Sequence, residues 1–146
     1  MATSEKNLSQ FSDQNIINIS KKKFGIVVSE WNDDVTDALF EGAYRTLIEQ
    51  GSTRENIIRK NVPGSYELSL GAQFMAREKK IDAVICLGCV IQGETRHFEF
   101  ICQSVAQGIK DVALKFDKPV IFGVLTTDTK QQALDRAGGK HGNKGD

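Results

Sequence analysis

The sequence predicts an α/β domain built on a parallel sheet. Three observations carry that expectation. Four short apolar runs are rich in β-branched residues, each is followed by a stretch with apolar residues at helical spacing, and the connections between them are short and polar. Crossovers between parallel strands are right-handed, which leaves few topologies open.

The first run, Phe24-Gly25-Ile26-Val27-Val28, is continuously apolar, as a strand covered on both faces must be. A polar loop from Ser29 to Asp33 leads into residues 36–50, where Leu39, Ala43 and Leu47 continue the stripe that Val35 begins and Gly51 marks the stop. Residues 57–62 form the second predicted strand. Pro63-Gly64 turns the chain, and residues 66–79 carry Leu70, Phe74 and Met75 at helical spacing. The third strand spans residues 83–87. After it Phe98, Ile101, Cys102, Val105 and Ile109 recur with the helical period. Residues 120–125 are the fourth strand, and the helix after them runs to about Ala137, with Asp128 and Gln131 spaced like a capping box. The predicted architecture is therefore three-layered, α/β/α, with a flavodoxin-like four-stranded parallel sheet in the order 2-1-3-4. Residues 1–23, rich in Ser, Asn, Gln and Lys around the patch Ile16-Ile17-Asn18-Ile19, read as a partly disordered arm carrying one edge strand. Residues 24–146 read as the domain.

Length and charge narrow the function. A chain of 146 residues fits one domain, which buries roughly 70% of the surface of its unfolded chain. Lys plus Arg equals Asp plus Glu at 19 each, so no overall charge recruits nucleic acid or an anionic membrane. The longest apolar runs fall far short of the roughly 18 residues of a membrane span, and the opening MATSEKNLSQ lacks an apolar signal core, so a cytoplasmic protein is expected. Cys86, Cys89 and Cys102 lie close together in sequence. The C-x-x-C spacing of the first two falls within or at the end of a buried strand with no second ligand pair, which favours small buried hydrophobes over a metal or redox site.

In sheets of this kind ligands bind beyond the carboxyl ends of the strands, at the switch point between strands 1 and 3. That rule selects SEWND, VPGSYE, CVIQGETRH and LTTDT. Trp31, the only tryptophan, either packs its loop onto the sheet or offers a stacking platform worth on the order of 1–3 kcal/mol to a planar ring. Asn32 is either a helix cap or a polar contact. Glu67 suits a helix start electrostatically; with exposed N–H groups it could equally read the amide edges of a uracil-like ring. Gly93, Glu94 and Thr95 open the third helix, where glycine permits close backbone approach and free N–H groups suit an anion. His97 is either a surface histidine or a proton carrier above that helix end. Arg136, Lys140 and Lys144 stand among glycines in DRAGGKHGNKGD, which is either a flexible basic tail or the source of a guanidinium clamp for phosphate.

Together the segments VVSEWND, NVPGSYELSLGA, DAVICLGCVIQGETRHFEFIC, PVIFGVLTTDT and QALDRAGGKHGNKGD resemble the 6,7-dimethyl-8-ribityllumazine synthase family, in order and spacing, from Phe24 to Gly145. The resemblance implies condensation of 5-amino-6-(D-ribitylamino)uracil with (S)-3,4-dihydroxy-2-butanone 4-phosphate, the penultimate step of riboflavin biosynthesis, with no metal or organic cofactor. It implies that Trp31 stacks on the pyrimidine, that Ser65, Tyr66 and Glu67 contact the pyrimidine and ribityl chain, and that Cys89, Val90, Ile91 and Phe122 complete that pocket. Glu94, Thr95 and Arg136 correspond to the phosphate site, and His97 to the proton-transfer residue. The family's sites lie between neighbouring subunits of a pentamer, with Phe122 or Arg136 donated across the interface. Some members assemble twelve pentamers into a 60-subunit icosahedral shell, and riboflavin synthase is a candidate partner. The family also continues into a further helix beyond the position of Asp146, so the sequence is expected to lack that helix. A rival reading is a non-catalytic flavin or lumazine binder, which would keep Trp31 and the phosphate loop but have no need of His97. A shell protein with vestigial loops is the other.

Overall fold

A computed structural model describes residues 18–146. The order is β1 (Phe24–Ser29), α1 (Asp33–Glu49), β2 (Ile57–Val62), α2 (Leu68–Arg77), β3 (Ala83–Ile91), α3 (His97–Phe116), β4 (Val120–Thr127), α4 (Lys130–Leu134), and a hairpin of β5 (Ala137–Gly139) and β6 (Gly142–Asn143). Short 3₁₀ turns, Arg54–Asn56 and Ser65–Glu67, precede β2 and α2. The four main strands are parallel in the order β2-β1-β3-β4, the order expected. The arm strand expected at Ile16 and Ile17 lies outside the described residues, and Asn18 and Ile19 form no strand.

Side chains alternate across the sheet, so each strand feeds two cores. Val27, Val84, Cys86 and Val124 pack with α2 and α3 through Leu68, Ala72, Met75, Val105 and Ile109. Ile26, Val28, Leu87 and Cys89 pack on the opposite side with Val35 and Leu39 of α1 and Ala133 of α4. Among the described residues no helix is long and apolar enough to cross a membrane.

Several boundaries differ from the sequence reading, each for a local reason. Helix α1 starts at Asp33 rather than residue 36, because Asp33 and Asp34 complement the positive end of the helix and the N–H groups of Val35 and Thr36 already bond to Asn32 O at 2.9 and 3.0 Å. Strand β3 runs four residues past Leu87, since Cys89, Val90 and Ile91 keep their ladder with Leu125, Thr126 and Thr127, which also lengthens β4. Helix α2 yields its first turn to the 3₁₀ turn and ends at Arg77, ahead of an extended Glu78 (ψ 113°). At α4 the cap lies one residue later than expected: Thr129 Oγ1 accepts from the Gln132 N–H at 3.2 Å, while Gln132 Oε1 accepts from the Asp128 N–H at 2.9 Å. The helix closes at Leu134 instead of about Ala137.

The glycine-rich tail is ordered into the β5–β6 hairpin. Positive φ at Gly138 (106°) and Gly142 (72°) turns the chain where L side chains resist. Asn143 Nδ2 donates to Ala38 O at 2.7 Å and Arg45 pairs with Asp146 at 3.0 Å, so the hairpin is clasped to α1.

Candidate active site

The loops at the carboxyl ends of β1 and β3 enclose a cleft of about 700 Å³. One wall is Trp31 and Asn32, another is Gly64 to Glu67, the end of β3 contributes Cys89, Val90 and Ile91, and α3 contributes His97 and Ile101. Eight of the twelve residues that the resemblance assigns to the site meet there, and Asn32 joins them.

Backbone bonds bind the first two walls together. The Glu30 N–H donates to Val62 O at 2.9 Å and the Trp31 N–H to Pro63 O at 3.1 Å. The indole does not pack its loop onto the sheet: Trp31 is 74% exposed and faces the cleft. In the second wall Glu67 Oε2 accepts the Gly64 N–H at 2.9 Å, so the carboxylate caps the turn and lines the cleft at once. Tyr66 beside it is 58% exposed, whereas Ser65 is buried. Gly88 is needed beneath this turn, because a Cβ there would come within 2.7 Å of Ser65 Oγ and 2.8 Å of Leu68 Cδ1.

The strand end offers backbone more than side chains. The Cys89 carbonyl accepts from Asn32 Nδ2 at 3.3 Å and from Ser65 Oγ at 3.5 Å, while its thiol is buried with α1. Three positions apart in a strand, Cys86 and Cys89 point to opposite faces and cannot share a metal or a disulfide. Burial pushes the Cys86 thiol up to about 12 and the Cys89 thiol to about 11, so both stay protonated at neutral pH.

His97 is the first residue of α3 and is exposed on the cleft; its N–H donates to Thr95 Oγ1 at 3.4 Å. Glu94 and Thr95 occupy the exposed turn just before it, outside the cleft wall. A side chain at Gly93 would meet nothing within 4 Å, so the approach to this turn is open.

Phe122 and Arg136 are not brought to this cleft. Phe122 pairs with Cys86, three residues back along the strands from Cys89, which is roughly 10 Å, and is 44% exposed on β4 at the sheet edge. Arg136 lies between α4 and β5, where its Nη1 donates to Gln132 O at 2.9 Å. Ile101 and Gly64 line the cleft without having been singled out: Ile101 falls on the stripe that reads as core, although its place one turn after His97 signals a shared face.

A profile of the 6,7-dimethyl-8-ribityllumazine synthase family matches residues 21–146. A protein of that name from Cytophaga hutchinsonii is 64% identical over 146 residues, covering 100% of this chain and 91% of the relative. One from Flavobacterium johnsoniae is 54% identical over 145 residues, 99% of this chain and 76% of the relative. A third, from Parabacteroides distasonis, is 52% identical over 146 residues, 100% of this chain and 91% of the relative. Similarity at this level along the whole chain, on the fold its residues predict, shows that the chain belongs to the 6,7-dimethyl-8-ribityllumazine synthase family.

Proposed function

We propose that the cleft joins 5-amino-6-(D-ribitylamino)uracil to (S)-3,4-dihydroxy-2-butanone 4-phosphate, releasing phosphate and water and leaving 6,7-dimethyl-8-ribityllumazine. The observation that carries the reading is the convergence, in a chain of this family, of an exposed indole, a carboxylate turn, a bare strand end and a histidine around one volume.

In this reading Trp31 stacks on the pyrimidine while the backbone of Cys89, Val90 and Ile91 reads its edge. Ser65, Tyr66 and Glu67 hold the pyrimidine and its ribityl chain. The turn at Glu94 and Thr95 receives the phosphate through backbone N–H groups at the start of α3, with the Glu94 carboxylate turned away. The 5-amino group of the uracil attacks the ketone and water leaves as the imine forms; elimination of phosphate leaves an enol that tautomerises to a second ketone, which the ribitylamino nitrogen attacks, and a second water leaves as the ring closes. Each step moves a proton, and His97, which lines the cleft two residues after Thr95, is the group in place to carry it. Holding both reactants in one groove supplies the rest of the acceleration through orientation.

Phe122 and Arg136 fit this scheme as donors to a neighbouring subunit's cleft. Exposed Leu70, Phe74, Phe100, Leu114, Ile121 and Phe122 supply apolar surface for such neighbours, and a second groove of about 610 Å³ runs between β2 and α2. The reading is a homopentamer, with the 60-subunit shell as the larger alternative. It works in the cytoplasm, where its three free cysteines stay reduced. The deciding experiment mixes both substrates with the purified protein and follows lumazine absorbance and fluorescence. Product formation above the uncatalysed rate is expected; a protein that binds flavin or lumazine without forming product would overturn the reading. Light scattering on the same sample separates pentamer from shell.

A further inference from the structure

Asn32 is held in a way that its local chemistry does not explain. Its backbone is left-handed (φ 61°, ψ 49°), a region that few residues other than glycine and asparagine adopt. It stands at the N-cap of α1, where an asparagine side chain ordinarily accepts a helix N–H, yet it makes no cap bond. The first turn is served instead by Asp33 Oδ1, which accepts from the Asp34 N–H at 2.9 Å, and Asp34 Oδ1, which accepts from the Val35 N–H at 3.0 Å. The freed amide reaches across 57 residues of sequence and donates to the Cys89 carbonyl. A carbonyl accepts only from the NH₂ side of the amide, so the orientation is fixed by chemistry. Ser65 donates to the same oxygen from the other wall.

We propose that Asn32 is a positioning residue: its amide and left-handed backbone pin the Trp31 loop to the end of β3 and fix the indole against which the pyrimidine stacks. The inference rests on Trp31 being that platform. One carbonyl then holds both walls at a set separation, and the amide adds a side-chain tie to the backbone bond from the Trp31 N–H to Pro63 O beneath an exposed indole.

Trp31 is the only tryptophan, so its emission reports the loop without labels. In the assembled protein, Asn32→Gly keeps the left-handed backbone and loses the amide, and Asn32→Asp keeps the shape but cannot donate. Both are expected to lower the anisotropy of Trp31 emission. Both should also raise the KM for the ribitylaminouracil roughly 3- to 10-fold, the worth of one neutral hydrogen bond. The KM for the butanone phosphate in Asn32→Gly and the melting temperature of that variant should stay near wild type, which a general loss of structure would not allow. Anisotropy and KM unchanged in Asn32→Gly, with wild-type emission still quenched by the pyrimidine, would overturn this inference alone. Absence of quenching in the wild type would fell the stacking platform and the inference with it.

Discussion

Replacing Gly88 with alanine should damage stability and pyrimidine binding together. The new Cβ would lie 2.7 Å from Ser65 Oγ, 2.8 Å from Leu68 Cδ1 and 3.4 Å from Ser29 Oγ. None of these neighbours can swing into solvent, since Leu68 and Ser29 are fully buried and Ser65 nearly so. Overpacking of this kind costs about 1–3 kcal/mol, and the conformational gain from removing a strand glycine offsets about 0.5–1 of it. A net loss of about 1–2 kcal/mol follows, seen as a lower denaturant midpoint at fixed protein concentration and a melting temperature reduced by roughly 2–8 °C. The displacement falls on the turn that carries Ser65, Tyr66 and Glu67, so the KM for the ribitylaminouracil should rise in the same variant. Gly93→Ala is the control, because nothing lies within 4 Å of its added Cβ and stability should hold. A Gly88→Ala protein as stable and as tight for the pyrimidine as wild type would refute this account of the cleft floor.

Other perturbations reach the remaining parts. His97→Ala should lower kcat by no more than roughly 10²-fold, the lower end of general acid–base contributions, because orientation survives; a loss as complete as removal of a covalent nucleophile would contradict the assigned role. Arg136→Ala should raise the KM for the butanone phosphate by roughly 10-fold or more, the worth of a charge-assisted bond, and leave that for the pyrimidine near wild type. Equal effects on both substrates would argue against a phosphate clamp. The buried thiols predict alkaline sensitivity: folded values of about 12 and about 11, above the ordinary 9.0, mean that the unfolded chain sheds these protons first. Their stabilisation is complete below about pH 9 and is lost as pH rises toward 11–12, so denaturant midpoints should fall across that window; midpoints that rise there would contradict it.

The sheet was legible because its signals are local. Continuous β-branched runs and four-residue stripes placed β1, β2 and the cores of α1 and α3 close to where they lie. The misplaced ends depend on distant partners: Cys89 to Ile91 remain strand only because residues 125–127 pair with them. The tail reads as flexible from its glycines, and only the Asn143 amide on Ala38 and the Lys144 N–H on Arg136 O, at 2.8 Å, make it a hairpin. At the site, three of the four loops that the switch-point rule selects line the cleft and LTTDT does not, while the side chains of Trp31 and His97 declare their chemistry by type. What no spacing conveys is that Asn32 abandons its cap for Cys89, or that Phe122 and Arg136 stand away from this chain's own cleft.

The cleft between the β1 and β3 loops is tested without catalysis by titrating the ribitylaminouracil alone into the protein and recording Trp31 emission. Saturable quenching is predicted, with a midpoint near the KM for that substrate, since a ring stacked on the only indole must change its emission. Emission unaltered at concentrations that sustain full turnover would place the pyrimidine elsewhere and contradict the site.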